Sequence, residues 1–284
     1  MSLVNRYNFL RWDDGEAAVS IEADLPTGYN IDPSRCDYRP LLVTGEAMRF
    51  YINALNGLDI ISTPDLNVLN LVNAETGAVV VSDVATLQQH QFIDGTGATV
   101  KTYYAEVVID STVPVGRYVF EVRSSGNVLL LQSNQIRVVS SNYLTNSCLC
   151  KFAHDRYFYG INYQDLAGFY QQFRLNINET DNQFESDKEV YNEITTGKQR
   201  TYNNFMKQLK KAETYYFDKY AHEAAAIMFQ HDELYINLKR YTAKDVYKIS
   251  YDQRSKIMKG ECELYLEEFA SANRCDGADN LSTS

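Results

Sequence analysis

His222, Glu223 and His231, in the run YYFDKYAHEAAAIMFQHDEL, are the residues whose types could do acid–base or metal chemistry. Imidazole titrates near neutrality and is a common metal ligand. A helical zinc pair needs its histidines four residues apart on one face, whereas these two stand nine apart. Nine residues are about 2.5 helical turns, so the two rings face opposite directions. The expectation for each is a helix-surface histidine. Thiolates are the second possibility: Cys148 and Cys150 lie in CLC, with Cys262, Cys275 and Cys36 elsewhere. They could meet at a zinc ion, but closely spaced ligand pairs are missing, and each serves equally as a small buried apolar side chain. DDGE at 13–16 has the acids and glycine of a calcium turn but not the later ligands of a calcium loop, and reads as a solvated turn. No phosphate loop, nucleophile elbow or kinase set occurs. No residue is therefore assigned as catalytic, cofactor-binding or metal-ligating, no cofactor is implied, and the chain is expected not to be an enzyme.

The elements around these residues change character near residue 142. All five prolines and only one lysine, Lys101, precede it, while fifteen of the 22 tyrosines follow. A shift in three residue types at once is expected of two domains with different architectures, joined at about VVSSNYLTNS, 138–147. The expected fold class is mainly β with an α+β part. A β-sandwich covers 1–142, an antiparallel-sheet domain with one main helix near 217–231 covers 143–270, and 271–284 form a flexible tail.

Strands of the first part are read in AAVSIEA, MRFYINAL, NVLNLVN, GAVVVSD, VKTYYAEVVID, GRYVFEV, NVLLLQS and QIRVV. In VPVGRYVFEV, Pro114 fixes the approach and Gly116 permits a tight turn. Tyr118, Phe120 and Val122 then point one way and Val119, Glu121 and Arg123 the other. SSGN returns the chain. This P-x-G-x-Y-x-F-x-V hairpin resembles the closing strands of immunoglobulin-like modules.

In the second part GFYQQFRLNI alternates as a strand, and KEVYNEI and QRTYNNFMKQL flank the turn TTGK. Phe217, Tyr220, Ala221, Ala224, Ala225, Met228 and Phe229 recur at helical spacing, with Asp218 placed where a carboxylate meets exposed N–H groups. LYINLKR, DVYKISY and CELYLEEF read as three further strands. Tyr157, Tyr159, Tyr163, Tyr170, Tyr191, Tyr202, Tyr215, Tyr216, Tyr235, Tyr241, Tyr247, Tyr251 and Tyr265 serve equally as interface residues or as half-buried sheet residues with wet hydroxyls.

With 27 basic against 37 acidic residues, net −10, nucleic acid and anionic membranes are disfavoured as main partners. No run approaches the roughly 20 apolar residues of a membrane helix, and the N-terminal run lacks a secretory pattern, so a soluble, cytosol-made protein is expected.

The ordered set FYQQFRLN, EVYNEITTGKQR and YYFDKYAHEAAAIMFQHDELYIN, over 145–251, resembles an arrangement in virion proteins of crAss-like and related Bacteroidetes-infecting phages. The loop PTGYNIDPSRCDYRP is in keeping with it. The resemblance implies a non-enzymatic subunit of a multimeric neck or tail ring connecting portal to tail hub, assembled in the host cytoplasm. Its implied partners are copies of itself and neighbouring portal, ring or tail hub proteins, with DNA passing through the lumen without specific binding and no membrane. A lumen-facing acidic surface would repel that DNA. The alternative is a carbohydrate-binding or adhesin-type β-sandwich module of a tail or head fibre, which requires aromatic side chains in one exposed cleft.

Overall fold

A computed structural model describes residues 8–14, 38–54, 68–93, 99–159, 161–166, 168–215, 217–252 and 257–267. AAVSIEA, Cys36, Cys275 and the tail lie outside the described residues.

The first strands are β1 (Trp12–Asp14), β2 (Leu41–Val43), β3 (Ala47–Ala54), β4 (Val68–Asn73), β5 (Val79–Ala85) and β6 (Gln88–Ile93). They continue as β7 (Thr99–Val108), β8 (Gly116–Arg123), β9 (Leu129–Ser133) and β10 (Ile136–Val139). After a 3₁₀ helix at Ser141–Asn146 come β11 (Cys148–Ala153), β12 (Tyr157–Phe158), β13 (Ile161–Asn162), β14 (Gln171–Leu175), β15 (Ile177–Asn192) and β16 (Gln199–Tyr215). Helix α1 (Lys219–Met228) precedes β17 (Glu233–Ile236), β18 (Lys239–Ala243), β19 (Lys248–Asp252) and β20 (Ile257–Leu266). The fold is mainly β with one α-helix among the described residues.

The sandwich forms where two strand sets bury their apolar faces on each other. β4, β8, β9, β1 and β10 pair in one layer, and β3, β7 and β6 in the other. Between the layers the Phe50 and Phe120 rings stack at 5.5 Å and Trp12 lies 5.6 Å from Phe50. Tyr118, Phe120 and Val122 all face this core, as alternation along β8 requires. The Tyr118 hydroxyl donates to the Pro114 carbonyl at 2.8 Å. A tyrosine at the start of a strand bonding back across its entry corner is a hallmark of immunoglobulin-like sandwiches.

The compositional change near residue 142 falls on the 3₁₀ helix. On either side of it the strands belong to one pairing network, because β14 pairs with β11 and also with β2 and β3. One core cluster likewise runs from Phe9, Trp12 and Phe50 to Phe173, Met228 and Leu264. Arg174 in the RL of FYQQFRLN fastens this junction. Its guanidinium holds the Glu46 carboxylate by two donors, one at 2.6 Å, and donates to the Ser147 carbonyl at 3.0 Å. Glu46 is partly exposed, which weakens the pair, so Arg174→Ala is expected to destabilise the chain by about 2 kcal/mol in urea unfolding.

Helix α1 starts later and ends earlier than 217–231. Asp218 is its N-cap and accepts from the Ala221 N–H at 2.7 Å. The same carboxylate receives the Tyr38 N–H and lies 3.6 Å from Arg11, so the N-terminal segment anchors the helix. LYINLKR is two strands rather than one: Asn237 and Leu238 have φ of 49° and 69°, the left-handed pair of a tight hairpin turn between β17 and β18. β1, β2, β6, β11, β12 and β13 are absent from the strands read in the sequence.

Candidate functional site

The two helix-region histidines are not on the surface. His222 is fully buried and His231, which lies beyond α1, is 6% exposed. The Tyr247 ring, 5.9 Å from His222 and 5.5 Å from Phe229, covers the flank of α1 that periodicity alone left to solvent. His222 Nδ1 lies 2.6 Å from the Tyr247 hydroxyl, which lies 2.5 Å from Thr214 Oγ1. Burial holds the imidazole pKa of His222 down at about 4.

His231 ends a second buried chain. Asn8 donates to Gln171 at 2.6 Å, and Gln171 donates to the Tyr163 hydroxyl at 2.5 Å. Tyr163 stands 3.0 Å from His231 Nε2, and His231 Nδ1 is 2.9 Å from the Ile227 carbonyl. A carbonyl only accepts, so Nδ1 carries a proton, and in the neutral ring Nε2 then accepts from the Tyr163 hydroxyl. Burial, aided by nearby His154, lowers the pKa of His231 to about 4. The void beside Gln171 and His231 measures about 10 Å³, room for one water and no substrate. Both histidines are thus braces within the fold.

Cys148, Cys150 and Cys262 are free and buried, and burial raises all three thiols, Cys148 to about 11 and Cys262 to about 12. Such thiols are poor nucleophiles at neutral pH. His154 does gather two carboxylates, Asp155 at Nδ1 and Asp232 at Nε2, each at 3.1 Å. These ligand-type atoms lie within 4.8 Å of one another, but both acids are exposed and each engages a different ring nitrogen. The trio clasps the end of β11 to the turn after α1. Asp13 and Asp14 of DDGE belong to β1.

The tyrosines divide. Tyr163 and Tyr241 are buried, Tyr170, Tyr215, Tyr235, Tyr247 and Tyr265 are half-buried, and Tyr159 and Tyr191 are exposed. The side chains of Tyr157, Tyr202, Tyr216 and Tyr251 lie outside the described residues.

Two surface features remain. The first is the outer face of the sheet. Register places Glu106, Arg49, Gln172, Lys151 and Tyr235 in one row across β7, β3, β14, β11 and β17. The excursion from β12 to residue 169 packs Ile161, Tyr163 and Leu166 over Tyr51 on this face. It stops at Phe169, which meets Tyr104 edge to face at 5.2 Å. Past that rim a cleft of about 330 Å³ opens over Gln88, His90 and Glu106. A second groove of about 290 Å³ lies along Lys151, Tyr170 and Tyr235. No spacing rule in the sequence links these residues, because the cleft joins four separate segments.

The second feature is the β15–β16 ribbon. β20 pairs with β16 only from Gln208 to Tyr215. The ribbon continues from the Glu185–Lys207 pair to the Asn192–Gln199 pair, about 25 Å at about 3.3 Å per residue. No other strand pairs with this stretch among the described residues. Its turn is the TTGK of the sequence, closed by Gly197 at φ 65°. Val190, Tyr191, Ile194 and Met206 are exposed along it, Ile194 completely.

The architecture defines an immunoglobulin-like β-sandwich continued into an α+β layer. No family model matches the chain, and no curated protein matches it. Among solved structures, the first immunoglobulin domain of ZIG-8 in its homodimer is similar at 10% identity, covering 36% of this chain and 80% of that one, TM-score 0.17. A chain of the ICOS complex with ICOS-L and an anti-ICOS-L VNAR domain is 7% identical over 82% of this chain and 88% of that one, TM-score 0.20. Salmonella alpha-2-macroglobulin is 13% identical over 78% of this chain and 16% of that one, TM-score 0.23. At these values the likeness extends to neither activity nor partners. No helix among the described residues is long and apolar enough to cross a membrane.

Proposed function

We propose that the chain is a non-enzymatic structural subunit that binds copies of itself in a ring, within the neck or tail of a phage virion between portal and tail hub. One observation carries this reading: the β15–β16 ribbon extends past its supporting strand with apolar side chains exposed on it. An isolated two-stranded ribbon is at best marginally stable in water, and its open edges can accept another strand. A partner surface supplies the missing layer. In a head-to-tail ring each copy needs two different complementary faces, and an arm at one end of the sheet with a receiving surface elsewhere on the body meets that need. The braced base supports the same role: Glu185 accepts from the Tyr265 hydroxyl at 2.8 Å and is paired to Lys244, which fixes the direction in which the arm leaves. The phage setting rests on the ordered sequence resemblance over 145–251.

Native mass measurement over a concentration series tests the assembly. The unaltered chain is expected to form a closed multimer. Tyr191→Asp with Ile194→Asp is expected to remain a single chain with an unchanged melting temperature, since both side chains are exposed. A doubly substituted chain that assembles like the original would sink the proposal.

A further inference from the structure

We propose that the outer face of the sheet binds a neutral oligosaccharide, with one sugar position in the cleft over Tyr104 and a second in the groove beside Tyr235, on either side of Tyr170. This goes beyond the assembly role and does not depend on it.

Sugar rings present an apolar C–H face surrounded by hydroxyls that both donate and accept. A matching site therefore offers a partly exposed aromatic surface next to flat polar side chains. The cleft has that composition: Tyr104 and Phe169 meet at 5.2 Å and are both half-buried, and Gln88 stands opposite Tyr104 in register. Arg49 and Glu106 lie in the adjoining register row. A tyrosine ring of this kind binds with little loss of side-chain freedom.

The polar groups are already held in place. The Arg49 guanidinium lies 4.1 Å from the Tyr170 ring, and its Nη2 is 2.5 Å from the Glu106 carboxylate. A donor fixed before the ligand arrives loses little entropy on binding it. The same pairing decides against an anionic ligand, because Glu106 neutralises the cleft's arginine and the chain carries net −10.

Tyr170 links the two positions, since Lys151 lies 5.0 Å from its ring centre while Arg49 lies 4.1 Å from it. Lys151 pairs in register with Tyr235, whose half-buried ring lines the second groove. At about 330 and 290 Å³ each position stands near the lower end of the range for small-ligand sites, and together they suit a chain of sugars better than one.

The test uses the full chain, labelled, on a broad array of neutral and acidic oligosaccharides, followed by calorimetric titration of the retained glycan. Tyr104→Ala and Tyr235→Ala, each with circular dichroism as a folding control, are the comparison variants. The expected result is retention of a neutral oligosaccharide, with affinity at least about tenfold lower in each variant. No retained glycan, acidic glycans alone, or equal retention by both variants would overturn the proposal. The Tyr191→Asp, Ile194→Asp chain keeps this face intact and is expected to bind the glycan normally, so loss of assembly and loss of sugar binding are read separately.

Discussion

Gly260→Ala is expected to lower the unfolding free energy by about 4 kcal/mol, measured as the shift in urea midpoint at constant slope. Gly260 lies in β20 between Thr214 of β16 and Ile249 of β19. A Cβ built there would sit 1.8 Å from the Tyr247 hydroxyl, 2.2 Å from its ring carbon Cζ and 2.6 Å from Thr214 Oγ1. These are the atoms through which His222 is hydrogen-bonded, at 2.6 Å from Tyr247. The added methyl therefore does two kinds of damage. It overpacks a layer where Tyr247 also stacks on Phe229 at 5.5 Å, and it displaces the hydroxyl that partners Nδ1 of a buried imidazole. Tyr247→Ala in the same chain removes the obstructing ring, so the double substitution is expected to be less destabilising than the sum of the singles. Additive losses would show that Tyr247 is not what excludes a side chain from this position.

That network also shows what could be read from residue order and what could not. β8 and its return were legible because Tyr118, Phe120 and Val122 alternate and a turn cluster follows them. The helix was legible from its spacing, and Asp218 from the physics of helix ends. β6, QQHQFI, was not: it pairs only with β7 among the described residues, and its polar residues supply no apolar alternation to read. β11 was hidden because it follows directly on the Ser/Asn/Thr run read as a linker, although its two thiols are the small core side chains the sequence allowed. The burial of His222 depends on Tyr247 and Gly260, which are 25 and 38 residues away along the chain. Helical period defines one apolar face but carries no information about a second surface arriving later in the chain. The sheet's outer row has the same origin, because Arg49, Lys151 and Tyr235 become neighbours only through pairing between distant strands.

The two buried histidines make stability fall in mild acid. Each has a folded pKa of about 4 against the ordinary value of 6.5, with burial as the leading cause. Between those values the unfolded chain binds more protons than the folded one, so stability rises with pH. The stabilisation is complete above pH 6.5 and is lost as pH falls toward 4. For two such groups the loss from pH 7 to pH 5 is about 4 kcal/mol. The lowered carboxylates Asp110, Glu185, Glu213, Asp245 and Glu261 add their own loss only at more acidic pH, where they accept protons. The interval above pH 5 therefore isolates the histidines. Urea midpoints at pH 7, 6 and 5 are expected to fall steadily. His231→Gln, whose amide oxygen can still accept from Tyr163, is expected to remove about half of that fall. An even profile across this interval in the unaltered chain would mean that both rings take up protons in the folded state as readily as in the unfolded one, contrary to the burial that lowers both.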